Sequence, residues 1–132
     1  MLPIAEAEEH VGSGPISARC YHCPDRWELE RNAIFMRTWQ HVAHVCELPE
    51  PGSFVVREIE FAKASLIIVR GKDGVVRSFH NVCTHRGTRL TDKDCGKASK
   101  FSCPYHMWTF SIDGRLLSAP DFENFHVTKE EL

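Results

Sequence analysis

CTHRGTRLTDKDCGKASKFSCPYHMW, residues 83–108, is the most informative segment of this chain. It holds Cys83-x-His85, then seventeen residues, then Cys103-x-x-His106. Two thiols and two imidazoles are thus delivered as mixed pairs from two separated loops. Each pair is tight enough for one loop to wrap part of a metal centre, and the gap is long enough for a hairpin to bring the loops face to face. A [2Fe–2S] cluster with two Cys on one iron and two His on the other needs this arrangement. Soft thiolates suit the first iron, while neutral imidazoles suit the second and lower the negative charge of the unit. A structural zinc site uses the same residue types, but it usually takes its cysteines as one close pair and its histidines as another. Here each loop is mixed, which suits zinc poorly. Pro104 stiffens the second loop and Gly87 closes the first, as a backbone wrapped round a cluster requires.

Outward from these loops the sequence reads as short strands. Period-two, β-branched patterns predict strands near 40–46, 53–60, 64–70 and 75–81, with others near 100–103, 108–111 and 115–118. Gly71-Lys72-Asp73-Gly74 and Ser111-Ile112-Asp113-Gly114 carry the Asp-Gly chemistry of hairpin turns. Many short strands with regular turns predict a mainly β fold, a small antiparallel sandwich or barrel with the two cluster loops at one end. One helix is expected before it, over Arg26–Thr38, with Asp25 as N-cap and Glu28 completing a capping box. Residues 1–24, with scattered Gly and Pro, read as an extended arm. The expected organisation is an arm and helix over 1–38, a cluster domain over 39–122 and a tail over 123–132.

The motif CTHRG…CPYHMWTF resembles the Rieske motif of ring-hydroxylating oxygenase α subunits, CxHRG…CPYHGWxF. The likeness extends to FHNVCTHRG (79–87) and to ELERNAIFMRTWQHVAHVCELPEPGSFVVREI (28–59). The resemblance implies a Rieske-type [2Fe–2S] cofactor, with Cys83 and Cys103 on one iron and His85 and His106 on the other. It implies one-electron transfer, from a reductase or ferredoxin donor to an oxygenase catalytic domain or a neighbouring α subunit. The family's mononuclear iron ligands lie in a longer downstream domain, so this stretch is expected to carry electrons and not to activate O₂. A free-standing Rieske-type ferredoxin is the alternative, although such ferredoxins are usually shorter and lack the helical lead-in. A non-redox or zinc-binding remnant is the third reading.

Two departures stand out. Met107 occupies the place of the family's Gly, a strained choice if the position needs φ > 0. High-potential Rieske proteins bridge their loops with a disulfide and place a Ser and a Tyr after the second loop. Here Thr88 and Tyr105 stand in the disulfide positions, and Trp108 and Phe110 in the hydroxyl positions. With fewer donors to sulfur, a potential in the lower part of the Rieske range of roughly −150 to +300 mV is expected.

Composition narrows the classes further. With 132 residues, 42% of them hydrophobic, the chain can bury one core of ordinary size. A net charge of −2 gives no electrostatic reason to expect nucleic acid or an anionic membrane. The longest purely aliphatic run, Leu66–Val69, is far too short for a bilayer, and MLPIAEAEEH lacks the features of a signal peptide, so a cytoplasmic protein is expected. Cys20, Cys23, Cys46 and Cys95 are then expected as free thiols, Cys95 in a polar loop over Thr91–Lys100. Cys20-Tyr21-His22-Cys23 reads as a surface loop more readily than as a metal half-site. His41 and His44 fall on opposite faces of the expected first strand, and His80 reads as a hydrogen-bonding scaffold residue. Trp27, Trp39 and Trp108 are expected to face solvent if a catalytic domain belongs against them.

Overall fold

The computed structural model describes residues 14–128, and the chain divides into two units between Thr38 and Trp39. The first unit is helical. A single turn, α1 (Arg19–His22), is followed by α2 (Pro24–Glu30), which runs on into a π turn at Arg31–Phe35. The expected start at an Asp25 cap is corrected. Pro24 takes the first helical position, where its missing N–H costs nothing, and Cys23 becomes the N-cap without a side-chain cap bond. Asp25 sits instead in the first turn, where its carboxylate faces the positive end of the helix. The regular helix also stops short of Thr38, because Met36 N–H bonds back five residues to the Arg31 carbonyl (2.9 Å). Two aromatic residues of this unit pack on each other, Trp27 against Phe35 with centroids 5.4 Å apart. Residues 1–13, most of the predicted arm, lie outside the described residues.

The second unit holds two antiparallel sheets, as the mainly β reading anticipates. The first has the order β3-β2-β1-β4, from β1 (Ser53–Ile59), β2 (Ala64–Arg70), β3 (Val76–His80) and β4 (Cys95–Lys97). The second is β5-β6-β7, from β5 (Lys100–Ser102), β6 (Thr109–Ser111) and β7 (Leu116–Ser118). Alternation along β1 and β2 separates two faces. Phe54, Ile67 and Val69 pack with Phe101 and Ile112 of the second sheet region, and Phe54 meets Phe101 edge-on at 5.3 Å. Val55 and Ile68 point the other way and are covered by Leu48, Val42 and Ala43.

That cover replaces the strand expected over 40–46. Arg57 donates to the Val42 carbonyl (3.0 Å) and Arg70 donates to the Leu48 carbonyl, so side chains claim what a sheet neighbour would have bonded. The segment turns through a short 3₁₀ stretch, Val45–Glu47, closed by a capping box: His44 Nδ1 accepts from Cys46 N–H and the Glu47 carboxylate accepts from His44 N–H. His41 and His44 therefore lie on a strap and not on a strand. A second correction concerns Cys95, expected in a loop. It lies in β4, opposite Val55 of β1.

Both Asp-Gly turns form. Gly114 has φ 96°, and a Cβ there would stand 2.5 Å from the Phe79 ring, so the turn requires glycine. In the other turn Asp73 pairs with Arg77 (2.7 Å), and that guanidinium, with the Val75 N–H, holds the carboxyl down at about 2.

The two cysteine loops repeat one backbone design. Cys83 N–H donates to the Thr88 carbonyl and Gly87 N–H to the Cys83 carbonyl (2.8 and 2.9 Å). Cys103 N–H donates to the Trp108 carbonyl and Met107 N–H to the Cys103 carbonyl (2.8 and 3.0 Å). The fifth residue of each loop is left-handed, Gly87 at φ 72° and Met107 at φ 60°. The first loop follows β3 and the second joins β5 to β6. Asn81, 3% exposed, latches the return of the first loop: its Oδ1 accepts from Leu90 and Thr91 N–H (both 3.1 Å), and its Nδ2 donates to the Thr91 carbonyl (2.8 Å).

Three outcomes follow from this framework. Asn81→Ala strands three backbone groups, and a loss of about 2–3 kcal/mol is expected in urea unfolding. Met107→Gly relieves a left-handed backbone at a non-glycine residue, and a gain of up to about 1 kcal/mol is expected in the same assay. Asp73→Asn should lower stability at neutral pH. Its carboxyl is depressed in the fold, so the contribution is present above the unfolded value of 3.8 and lost as pH falls towards 2. Melting curves of the two proteins should therefore converge at the acid end.

Candidate metal centre

The repeated loop design aims amides at sulfur. The N–H groups of His85 and Arg86 face the Cys83 sulfur and those of Tyr105 and His106 face the Cys103 sulfur, each pair acting to lower its thiol. In each loop these amides belong to the second and third residues after the cysteine. Both cysteines are 1% exposed, and their side chains interact with each other. Burial pushes the Cys83 thiol up. Burial also acts upward on Cys103, but its two backbone donors and the Cys83 thiol outweigh it and leave that thiol below the ordinary value.

The imidazoles face each other beside this pair, with ring centroids 4.7 Å apart. His85 Nδ1 and His106 Nδ1 are both buried and neither has a hydrogen-bond partner. An unpaired buried nitrogen is costly, and two of them converging beside two buried thiols have one economical explanation, a metal centre that takes their lone pairs. Burial, and then the neighbouring charges of His106 and Arg86, lower the His85 pKa and keep its ring neutral, the state in which imidazole binds metal. Among the described residues no group of three or more His, Cys, Asp and Glu is arranged for a single metal ion. A two-iron cluster asks only two protein ligands of each iron. The donor set fits that group.

Aromatic residues wall the histidine side unevenly. Trp108 stacks face-on against His85, at 4.8 Å and 9° between planes, and Phe125 meets the same ring edge-on at 5.6 Å. His106 lies against Tyr105, at 3.9 Å, whose side chain is exposed. Trp108 is 2% exposed, which corrects the expectation of a solvent-facing indole, whereas Trp39 is fully exposed and Trp27 partly so. Phe122 and Phe125 pack on the cluster of Trp108, Phe110 and Leu116, so the chain at 122–125 joins the core beneath the site.

The structure brings Cys83, His85, Cys103 and His106 together. Cys46 and Cys95 are exposed single thiols, and His41, His44 and His80 are exposed. The scaffold role expected of His80 falls to its neighbour Asn81. Sequence reasoning missed Asn81, Trp108 as a wall and Phe125; the Asn directly before the first cysteine loop was the available signal for the first.

Comparison with known proteins agrees with this geometry. The profile of the Rieske [2Fe-2S] domain matches residues 38–129. Over 100 residues the chain is 42% identical to the glycine betaine monooxygenase oxygenase subunit of Pseudomonas aeruginosa, covering 75% of this chain and 23% of that protein. Among solved structures, it is similar to a quaternary ammonium Rieske monooxygenase described with carnitine oxidation by gut microbiota and inter-subunit electron transfer. That match has a TM-score of 0.78 and 39% identity, over 86% of this chain and 31% of the other. It is also similar to naphthalene 1,2-dioxygenase from Rhodococcus sp., with a TM-score of 0.74 and 34% identity, over 82% of this chain and 25% of that one. The chain thus spans about a quarter to a third of the oxygenase chains it matches. By its loops, its sheets and these likenesses, this chain belongs to the Rieske [2Fe–2S] domain family, and its relatives are the oxygenase subunits of Rieske oxygenases.

Proposed function

We propose that Cys83 and Cys103 bind one iron and His85 and His106, through Nδ1, the other, and that the domain relays single electrons within a Rieske oxygenase. The donor is a reductase or ferredoxin, and the acceptor is a mononuclear iron in an oxygenase catalytic domain, of the same or a neighbouring α subunit. The observation that carries this reading is the pair of buried, partnerless Nδ1 atoms beside the buried thiol pair. When bound, a cluster of this type takes up and gives back one electron. Four backbone amides spread negative charge away from the two sulfurs, and the neutral His85 ring offers its lone pair without a proton to displace. Trp108 and Phe125 fix the plane of His85 and keep water from that side.

A free-standing Rieske-type ferredoxin would use the same four ligands. Similarity to oxygenase subunits, over a stretch that includes the helical lead-in, favours the oxygenase reading. Substrate choice is not written in this domain, since the same architecture serves relatives named for glycine betaine and for naphthalene. The compartment we infer is the cytoplasm: none of the cysteines is joined in a disulfide, and the four outside the cluster loops are free thiols, as suits a reducing environment. Among the described residues no helix is long and apolar enough to cross a membrane.

Iron and acid-labile sulfide should be found in equal amounts, and dithionite reduction should give the electron paramagnetic resonance pattern of mixed His/Cys ligation. An all-Cys pattern, or a colourless protein after anaerobic reconstitution, would overturn the assignment. Electron transfer from a reductase that speeds up only when an oxygenase catalytic domain is added supports the oxygenase reading over the ferredoxin one. Redox titration should place the potential in the lower part of the range. Phe110→Tyr, which restores a hydroxyl at a place where high-potential relatives have one, should raise it by about 40 mV, the one-electron equivalent of a hydrogen bond worth about 1 kcal/mol.

A further inference from the structure

Cys20 and Cys23 lie at the junction of α1 and α2, and electron relay makes no use of them. Cys20 belongs to the single turn of α1. Cys23 is where the chain leaves helical geometry, at φ −82° and ψ 116°, before α2 begins at Pro24. One helical turn places their Cα atoms about 5 Å apart, inside the span of about 4.4–6.8 Å that a disulfide bridges. Cβ atoms at that spacing stand about 5–6 Å apart and must close by about 1–2 Å to bond. α1 buries no residue and has no side-chain cap bond, so this shift displaces no buried side chain of that turn.

The Arg26 N–H, the Arg19 guanidinium and the Asp25 N–H act on the Cys23 thiol, and together they outweigh burial and hold it below its ordinary value. The Arg26 guanidinium also lies within electrostatic reach of both Cys20 and Cys23. His22, between the two, is engaged through Nδ1 with the Ala18 carbonyl (2.7 Å). Both thiols remain partly accessible. A partly accessible thiol held low by neighbouring cations and amides, with a second thiol one turn away, is the setting of a redox-reactive pair.

We propose that Cys20 and Cys23 form a peroxide-reactive thiol pair in which Cys23 is the nucleophile and Cys20 the resolving thiol. The Cys23 sulfur attacks one oxygen of a hydroperoxide. The O–O bond breaks, Cys23 becomes a sulfenic acid, and the departing oxygen leaves as water or alcohol after taking a proton. Cys20 then attacks the sulfenic sulfur. The S–S bond forms, the S–O bond breaks, and hydroxide leaves with the Cys20 proton as a second water. Two thiols lose two electrons in all and one peroxide gains them.

The test is peptide mapping of the full chain, and its readout is independent of the cluster. Trypsin cuts after Arg19 and Arg26, which isolates Cys20-Tyr21-His22-Cys23-Pro24-Asp25-Arg26 as one peptide. At neutral pH iodoacetamide should modify Cys23 about tenfold faster than the exposed thiols of Cys46 and Cys95. Arg19→Gln should bring that rate towards theirs. One equivalent of hydrogen peroxide, quenched with catalase, should remove two hydrogens from the peptide. In Cys20→Ser the same treatment should leave a sulfenic acid at Cys23 that dimedone traps. Alkylation of Cys23 no faster than of Cys46, or peroxide oxidation of Cys46 and Cys95 while the peptide stays reduced, would overturn the proposal.

Discussion

Two amides pointed at each cysteine sulfur set the terms for the rest of this domain. To aim the second and third N–H groups after a cysteine at its own sulfur, the backbone must curl through a five-residue loop. Closing that loop with an N–H to carbonyl bond drives the fifth residue into left-handed geometry. The same curl occurs twice, and the two loops differ mainly in where they carry the histidine, second after Cys83 and third after Cys103. Gly87 meets the backbone demand freely, and Met107 meets it at a cost. A strained residue beside a metal centre persists because the surrounding bonds leave the chain no alternative.

The sheets serve to hold the ends of these loops at fixed separation. β5 and β6 pair directly across the second loop, with Ser102 opposite Thr109 and their hydroxyls bonded to each other (2.9 Å). The first loop has no such clamp of its own strands, since β3 pairs with β2 and β4 with β1. Asn81 supplies the missing closure with a side chain that imitates a strand neighbour. Its own N–H bonds to the Ser65 carbonyl (2.8 Å), so the latch is itself fastened to β2. Beneath both loops, Trp108, Phe110 and Leu116 fill the space that buried sulfur and nitrogen need around them to stay dry.

Spacing made the meeting of Cys83, His85, Cys103 and His106 legible, because two mixed Cys/His pairs on separate loops suit few other arrangements. The Asp-Gly turns were legible for an equally local reason. What stayed hidden depended on distant residues. The apolar rhythm of residues 40–46 is real, but Val42 and Ala43 pack flat on the sheet instead of pairing in it, and the arginine that claims the Val42 carbonyl lies 15 residues away. β4, with Gly96 at its centre, has little strand character of its own and exists because the edge of β1 offers it partners. Trp108 looked like surface when judged as one indole among three; stacking on His85 is a fact of tertiary structure alone.

Phe125 gives the chain beyond the last strand a mechanical part in the site. Its ring presses on the His85 imidazole from the side and on Trp108 as well (5.2 Å), while Phe122 lies parallel to it at 5.9 Å. The backbone past residue 118 is therefore coupled to the His85 ring through a single side-chain contact.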